Sequence, residues 1–245
     1  SKVGQAQGGC ACVCTCHGQL CSCSLTANMA DLSARVAALE GELERAKLDY
    51  DESLDTIWML LASILVFFMH SGFILLESGM VRFKNTQNIL VKNLLVVTVG
   101  FPCWYVIGYP LAFGATDRPS MFAGSKFFFM QGLWENKDAL RLWLFQGAFC
   151  TTAATIISGA IAERTQLKGF LTFTVLMTSV IYPVVVYWGW SGRGVLNFMS
   201  DEGESKSLLG APFIDFAGSG IVHLVGGIGS LCGAIIVGPR KARFD

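Results

Sequence analysis

Charge is the scarcest feature of this 245-residue chain. Asp, Glu, Lys and Arg together make up 15% of it, where a soluble domain carries about 25%. Eighteen basic and eighteen acidic side chains cancel, so no net positive field draws in nucleic acid. Hydrophobic residues reach 53% and mean hydropathy is +0.52. That excludes a disordered chain and an ordinary soluble enzyme domain. The sequence also lacks the patterns of enzyme chemistry: a nucleophile–base pairing, a glycine-rich phosphate loop after a strand, paired carboxylates in a cleft. No short apolar segment with an Ala-x-Ala site precedes the apolar body, so no cleavable leader is expected. The composition left over is that of a membrane protein.

The few charges are unevenly spread. Eleven of the 36 fall in residues 1–54, and the rest lie mostly between long apolar runs. The chain therefore divides into a cysteine-rich head (1–27), a polar helix (28–54) and a membrane body (55–245). Six of the nine cysteines crowd into the head: Cys10, Cys12, Cys14, Cys16, Cys21 and Cys23. Cys-x-Cys spacing is poor for pairing neighbours, because alternate thiols point along an extended chain. It suits soft-metal thiolate ligation or disulfides between chains, and a low-complexity tail with no defined site is the plainer reading. From Leu32 the pattern changes. Leu32, Val36, Leu39, Leu43, Ala46 and Tyr50 recur at alternating steps of four and three, an a/d seam with charges between. Asp31 is the expected N-cap. The seam predicts a short coiled coil between copies; a lone amphipathic helix on the body or the bilayer is the alternative.

Five runs are long enough to cross about 30 Å of hydrocarbon as helices: roughly 56–80, 89–113, 141–162, 169–190 and 214–238. Basic residues gather after the first run (Arg82, Lys84, Lys92), the third (Arg164, Lys168) and the fifth (Arg240, Lys241, Arg243). Positive short loops mark the cytoplasmic side, so the head is expected outside and the C-terminal end inside. An oxidising exterior favours disulfides over a thiolate metal cluster in the head. Glycine is dense in the fifth run, including Gly229-x-x-x-Gly233. Small residues let membrane helices approach closely, so this helix is expected to pack inside a bundle, as in a transporter or channel.

Ionisable residues inside spans are functional candidates by default. His223 is the strongest. On a helix Asp215, Ser219 and His223 fall at i, i+4 and i+8, one polar stripe about 12 Å long. Asp215, just after Pro212, is expected in the first turn, bonding free backbone N–H groups. His223 is then a mid-membrane imidazole able to accept or donate a proton, or else a buried histidine bonded to a carbonyl. His70 reads as structural. Glu77 and Glu163 read as anchors at cytoplasmic helix ends. Phe145 and Phe149 share a face of the third span and read as core; Trp188 and Trp190 read as interface aromatics, though π faces also attract cations.

Five segments, in order, resemble the ammonium transporter (Amt/Mep/Rh) family, Amt-type members most. They are SGFILLESGMVRFKNTQNILVKNLL, VIGYPLAFG, FQGAFCTTAATIISGAIAER, YWGWSGRG and DFAGSGIVHLVGGIGSLCGAIIVGPR, and they cover about 55–243. The resemblance implies an all-α membrane fold of about eleven spans in two inverted five-helix repeats, with the site at their interface. This chain would hold the first repeat. By resemblance, His223 is the first of twin pore histidines and Asp215 an acid that supports ammonium recruitment without ligating it. Trp190 and Phe149 are walls of an outer cation–π vestibule, Phe149 also a gate, and Phe145 a further vestibule aromatic. This reverses the plain reading of those aromatics. The second histidine, the second gate phenylalanine and a vestibule serine would lie in the half that this chain lacks, which by itself should not close a pore.

The implied function is ammonium transport: NH4+ selected at the aromatic mouth, deprotonated, and conducted past His223. The implied partners are ammonium or ammonia, the lipid bilayer and further copies in a homotrimer, with no cofactor and no nucleic acid. The implied location is the plasma membrane. A sensor of the same fold with little flux is the alternative.

Overall fold

The computed structural model describes residues 25–114, 124, 126–196 and 213–240. The cysteine cluster Cys10–Cys23 and Pro212 lie outside the described residues. The chain divides into two units between Asp55 and Thr56. The first unit is helical wherever it is described. Its helix belongs to α1, Leu25–Met80, so Asp31 lies inside a helix rather than capping one. The predicted cap fails because nothing in residues 25–30 breaks the helix.

The second unit is all-α, with no strand among the described residues. It holds five helices long and apolar enough to span a membrane, ending at Met80, Phe113, Ala160, Trp190 and Val237. Helices are what such sequences must form: lipid offers no partner for backbone N–H and C=O groups, so each segment satisfies its own. After α1 come α2 (Thr86–Cys103), α3 (Tyr109–Phe113), α4 (Lys137–Ala160), α5 (Leu167–Leu176), α6 (Tyr182–Trp190) and α7 (Val225–Val237). The second span is α2 and α3, joined by a π-turn at Trp104–Gly108; the fourth is α5 and α6, joined by a π-turn at Met177–Ile181. Each wide turn lies just before a proline, Pro110 or Pro183. A proline ring crowds the carbonyl four residues back and lacks an N–H, and a wider turn relieves both. The two bulges pack on each other. A Cβ on Gly108 would meet the Thr178 carbonyl at 2.4 Å, so only glycine permits that approach.

The α1 segment beyond Thr56 turns its polar side inward. Ser63, His70 and Glu77, seven residues apart, are buried, while Ile64, Leu65, Phe68 and Leu75 are exposed. That inversion is expected where the surroundings are lipid. The facing surface is α4, whose Thr151, Thr152, Thr155 and Ser158 are all fully buried. His70 Nε2 meets the hydroxyls of Thr151 (2.9 Å) and Thr152 (3.3 Å), and Nδ1 meets Thr155 (3.2 Å). Both ring nitrogens are engaged, the geometry of a structural histidine.

Glu77 is not an end-of-helix anchor. Its side chain is 5% exposed. It accepts from Asn93 Nδ2 (3.0 Å) and Ser158 Oγ (3.0 Å) and lies 3.5 Å from Lys92 Nζ. Lys92 in turn donates to the Ser158 carbonyl at 2.9 Å and lies over the Phe170 ring. So Lys92, counted with the basic residues that follow the first run, is a buried cation in a polar cluster. Its neighbours in sequence did not reveal the carboxylate that neutralises it.

Gly226, Gly229 and Gly233 of α7 lie against Ile156, Ile157 and Ile161 of the third span; an added Cβ would come within 2.5–2.9 Å of them. The small-residue stripe is thus a packing face, as predicted. The rest of α7 is not enclosed: Ile228, Leu231, Ile235 and Ile236 are exposed.

Where the third span ends, Glu163 adopts φ +61°. Its side chain is 1% exposed. It accepts from the Arg82 backbone N–H (2.9 Å), Arg82 Nε (3.2 Å) and Asn85 Nδ2 (2.6 Å), and pairs with Arg240 at 3.2 Å. Arg164 donates to the carbonyls of Gly238 (2.6 Å) and Ala160. These two residues join the ends of three spans, a stronger role than interfacial anchoring. Burial works against ionisation of Glu163, but the donors from Asn85 and Arg82 outweigh it and hold the carboxyl at about 2.

Candidate functional site

Four of the predicted residues converge. Phe145 and Phe149 sit one turn apart on α4, whose start is capped by Asn136 accepting from the Ala139 N–H at 3.0 Å. Their rings meet edge to face, centroids 5.0 Å apart. Trp190 ends α6, and its ring lies 5.8 Å from that of Phe149, also edge to face. Trp190 Nε1 donates to the Asp215 carbonyl at 3.0 Å. That bond fixes the indole with its polar edge turned into the protein.

Asp215 is not part of the helical stripe. Its carboxylate reaches over the start of the fifth span and accepts from the backbone N–H groups of Gly218 (2.9 Å), Gly220 (3.1 Å) and Ile221 (2.7 Å), with Ser219 Oγ at 3.5 Å. A helix start leaves such N–H groups without partners and carries partial positive charge, so a carboxylate belongs there. The predicted chemistry is present, while the predicted i, i+4, i+8 geometry is replaced by a cap. Gly218 makes the cap possible. It has φ +85°, and a Cβ there would come within 2.8 Å of Val222.

These side chains line a cavity of about 610 Å³, together with Phe113, Leu142, Gln146 and Phe216. Among the described residues, no Lys or Arg lines it. Asp215, the carboxylate among the described lining residues, has both oxygens occupied by donors. Gln146 was passed over in the sequence. It is 8% exposed, and its Oε1 has no partner among the described residues. The signal was available: an uncharged amide between two phenylalanines inside an apolar span. Aromatic faces and a bare acceptor oxygen suit a small cation that donates hydrogen bonds. Contact over such a ring contributes roughly 0.5–2 kcal/mol, the upper end when desolvated.

His223 stands apart and is not among the residues lining this cavity. It lies in a π-turn, Ser219–Leu224, that opens the fifth span. The Gly218 carbonyl accepts from the His223 backbone N–H (2.9 Å) and meets its Nδ1 at 3.0 Å. A carbonyl can only accept, so Nδ1 carries a proton. The other ring nitrogen, Nε2, has no partner among the described residues, and the residue is exposed. The carbonyl-bonded histidine and the available imidazole, alternatives in the sequence, are here two ends of one ring.

Over residues 57–245 the chain matches the Ammonium Transporter Family. It is 40% identical over 194 residues to Ammonium transporter 1 member 3 of Solanum lycopersicum, which covers 79% of this chain and 41% of that protein. It is 36% identical over 214 residues to Ammonium transporter Amt2 of Archaeoglobus fulgidus, covering 87% and 45%. Among solved structures it is similar to one described as a Sensor Amt Protein, with TM-score 0.67 at 32% identity over 78% of this chain and 45% of that one. It is also similar to Candida albicans Mep2, with TM-score 0.60 at 29% identity over 76% and 39%. The chain spans about two fifths of the length of the curated relatives it matches. The ordered motifs, the five apolar helices and these likenesses lead to one assignment: the chain belongs to the Ammonium Transporter Family, as an integral membrane protein rather than an enzyme.

Proposed function

We propose that the protein carries ammonium across a membrane, recruiting NH4+ at the Trp190–Phe149–Phe145 mouth and passing it inward after loss of a proton. The observation that carries this is the ring pair Phe149–Trp190 beside a cavity with no basic lining among the described residues. Phe149 is both a wall of the mouth and the gate beneath it. Asp215 holds the mouth in shape rather than binding the ion, since its oxygens are already used. An ion is costly in an apolar pore, so the proton leaves first. His223 receives or relays it at Nε2, Nδ1–H being committed to Gly218. K+ has no proton to give up and donates no hydrogen bond, so it is rejected. The head faces outside at the plasma membrane, and the protein assembles as a homotrimer; both are part of the proposal.

The test is ammonium-evoked current from the complete reading frame in a membrane expression system, with His223→Ala alongside. Current from the parent that is lost, or becomes K+-permeable, in the variant supports transport with a histidine relay. Retained ammonium binding without current overturns it. That outcome would favour an electroneutral gas channel or the second reading, an ammonium sensor, which the likeness to a Sensor Amt Protein keeps open.

A further inference from the structure

The first unit has an apolar seam that is exposed among the described residues. Met29, Leu32, Val36, Leu39, Leu43 and Tyr50 are all exposed, between 46% and 72%. They occupy successive a and d positions, a at Met29, Val36, Leu43 and Tyr50, d at Leu32 and Leu39. Leaving that many large apolar side chains in water is unfavourable, at about 25 cal/mol per Å². We propose that the helix over residues 29–50 docks on the same segment of further copies of this chain, as a parallel, in-register coiled coil.

Two independent features select that occupant. One is connectivity. The segment precedes the first span, so copies inserted the same way in one bilayer present it from the same side, in parallel. The other is charge. In a parallel coil, each g residue faces the e residue five positions on in its neighbour. Here g residues Arg35 and Glu42 face e residues Glu40 and Lys47 of the second copy, and both pairs are opposite in sign. A stagger of one heptad sets Arg35 against Lys47 on one flank and Glu42 against Glu40 on the other. Only Asp49 against Lys47 is then favourable. The pattern therefore specifies register as well as partner. None of Arg35, Glu40, Glu42 and Lys47 is held in an ion pair among the described residues. All four are exposed and available to a neighbour.

The experiment uses the whole chain in native membranes. A photoreactive p-benzoylphenylalanine is placed singly at Leu39 or Leu43 on the seam, or at Ala38 or Glu44 off it. Irradiation is expected to join copies from the seam positions and severalfold less from the others. Glu40→Lys is expected to reduce the seam product severalfold, and Arg35→Glu added to Glu40→Lys to restore it. Copies merely held near one another would show neither the preference for the seam positions nor the rescue. Equal products at all four positions, capture of lipid or of the membrane body, no product, or indifference to the charge changes would each overturn the proposal.

Discussion

Asp215→Asn isolates the role of the carboxylate, because it removes the charge and keeps the shape. An amide has one acceptor oxygen. If that oxygen replaces Oδ2, it keeps Gly220 and Ile221, and its NH2 faces the Gly218 N–H, donor against donor. The alternative orientation loses two backbone bonds. The better orientation therefore forfeits one charge-assisted bond, about 1.5–3 kcal/mol, and weakens two others, since charge-assisted bonds are roughly twice as strong as neutral ones. The groups are only half-buried and water offsets part of the loss, which leaves about 2–4 kcal/mol. For a chain of this size that lowers the thermal midpoint by roughly 5–15 °C. The assay is thermal unfolding of the detergent-solubilised protein, with ammonium binding measured below the transition. The loosened cap also frees the Asp215 carbonyl that holds Trp190, so indole fluorescence is expected to broaden. If the variant unfolds at the parent temperature and only ammonium binding is lost, Asp215 is a ligand, and the capping argument is refuted.

Three further predictions follow from packing and charge. Gly229→Ala forces a methyl to within 2.5 Å of Ile157 and is expected to destabilise by about 1–3 kcal/mol; Gly227→Ala, with nothing within 4 Å, is expected to be neutral or stabilising by up to about 1 kcal/mol, and equal midpoints in detergent would refute the packing face. Glu77→Ala leaves Lys92 buried without its counter-charge and is expected to cost about 3–5 kcal/mol; in a double-mutant cycle, Lys92→Met should recover part of it. Glu163, with its carboxyl lowered from 4.5 to about 2, contributes stability that is fully present above pH about 4.5 and lost as pH falls toward 2. In Glu163→Gln that acid-side slope of the unfolding midpoint should flatten, and an unchanged slope would sink the assignment.

The five spans were legible because lipid demands long, self-bonded apolar helices, and few other sequences have runs of that length. The family was legible because five motifs recur in order. Roles that depend on a side chain's partners were less so. Glu77, Lys92 and Glu163 looked like loop and end charges, since sequence adjacency shows the nearest basic residue and not the one that folding brings close. The partners of Glu77 come from α2 and α4, and those of Glu163 from the link after α1 and the end of α7. The Asp215–Ser219–His223 stripe assumed one regular helix, which Gly218 at positive φ and the π-turn replace. Gln146 was missed because the search of the spans was for ionisable residues, and an uncharged amide is not one; the cavity singles it out.

The sequence by itself determined that this protein lives in a bilayer, that five of its runs are long and apolar enough to cross it, and that the helix before the first run carries an a/d seam. These follow from periodicity and hydropathy, which act along the chain. The tertiary structure alone decided that Phe145, Phe149 and Trp190 stand edge to face around one cavity, that Asp215 caps a helix, that His70 is tied at both nitrogens and that His223 keeps one free. The His70 and Trp190 contacts depend on residues far apart in the chain, and the Asp215 cap and the His223 bond on an irregular local turn at Gly218. Hydrogen bonds and ring contacts act over only a few ångströms, so nothing short of the packed helices can assign them.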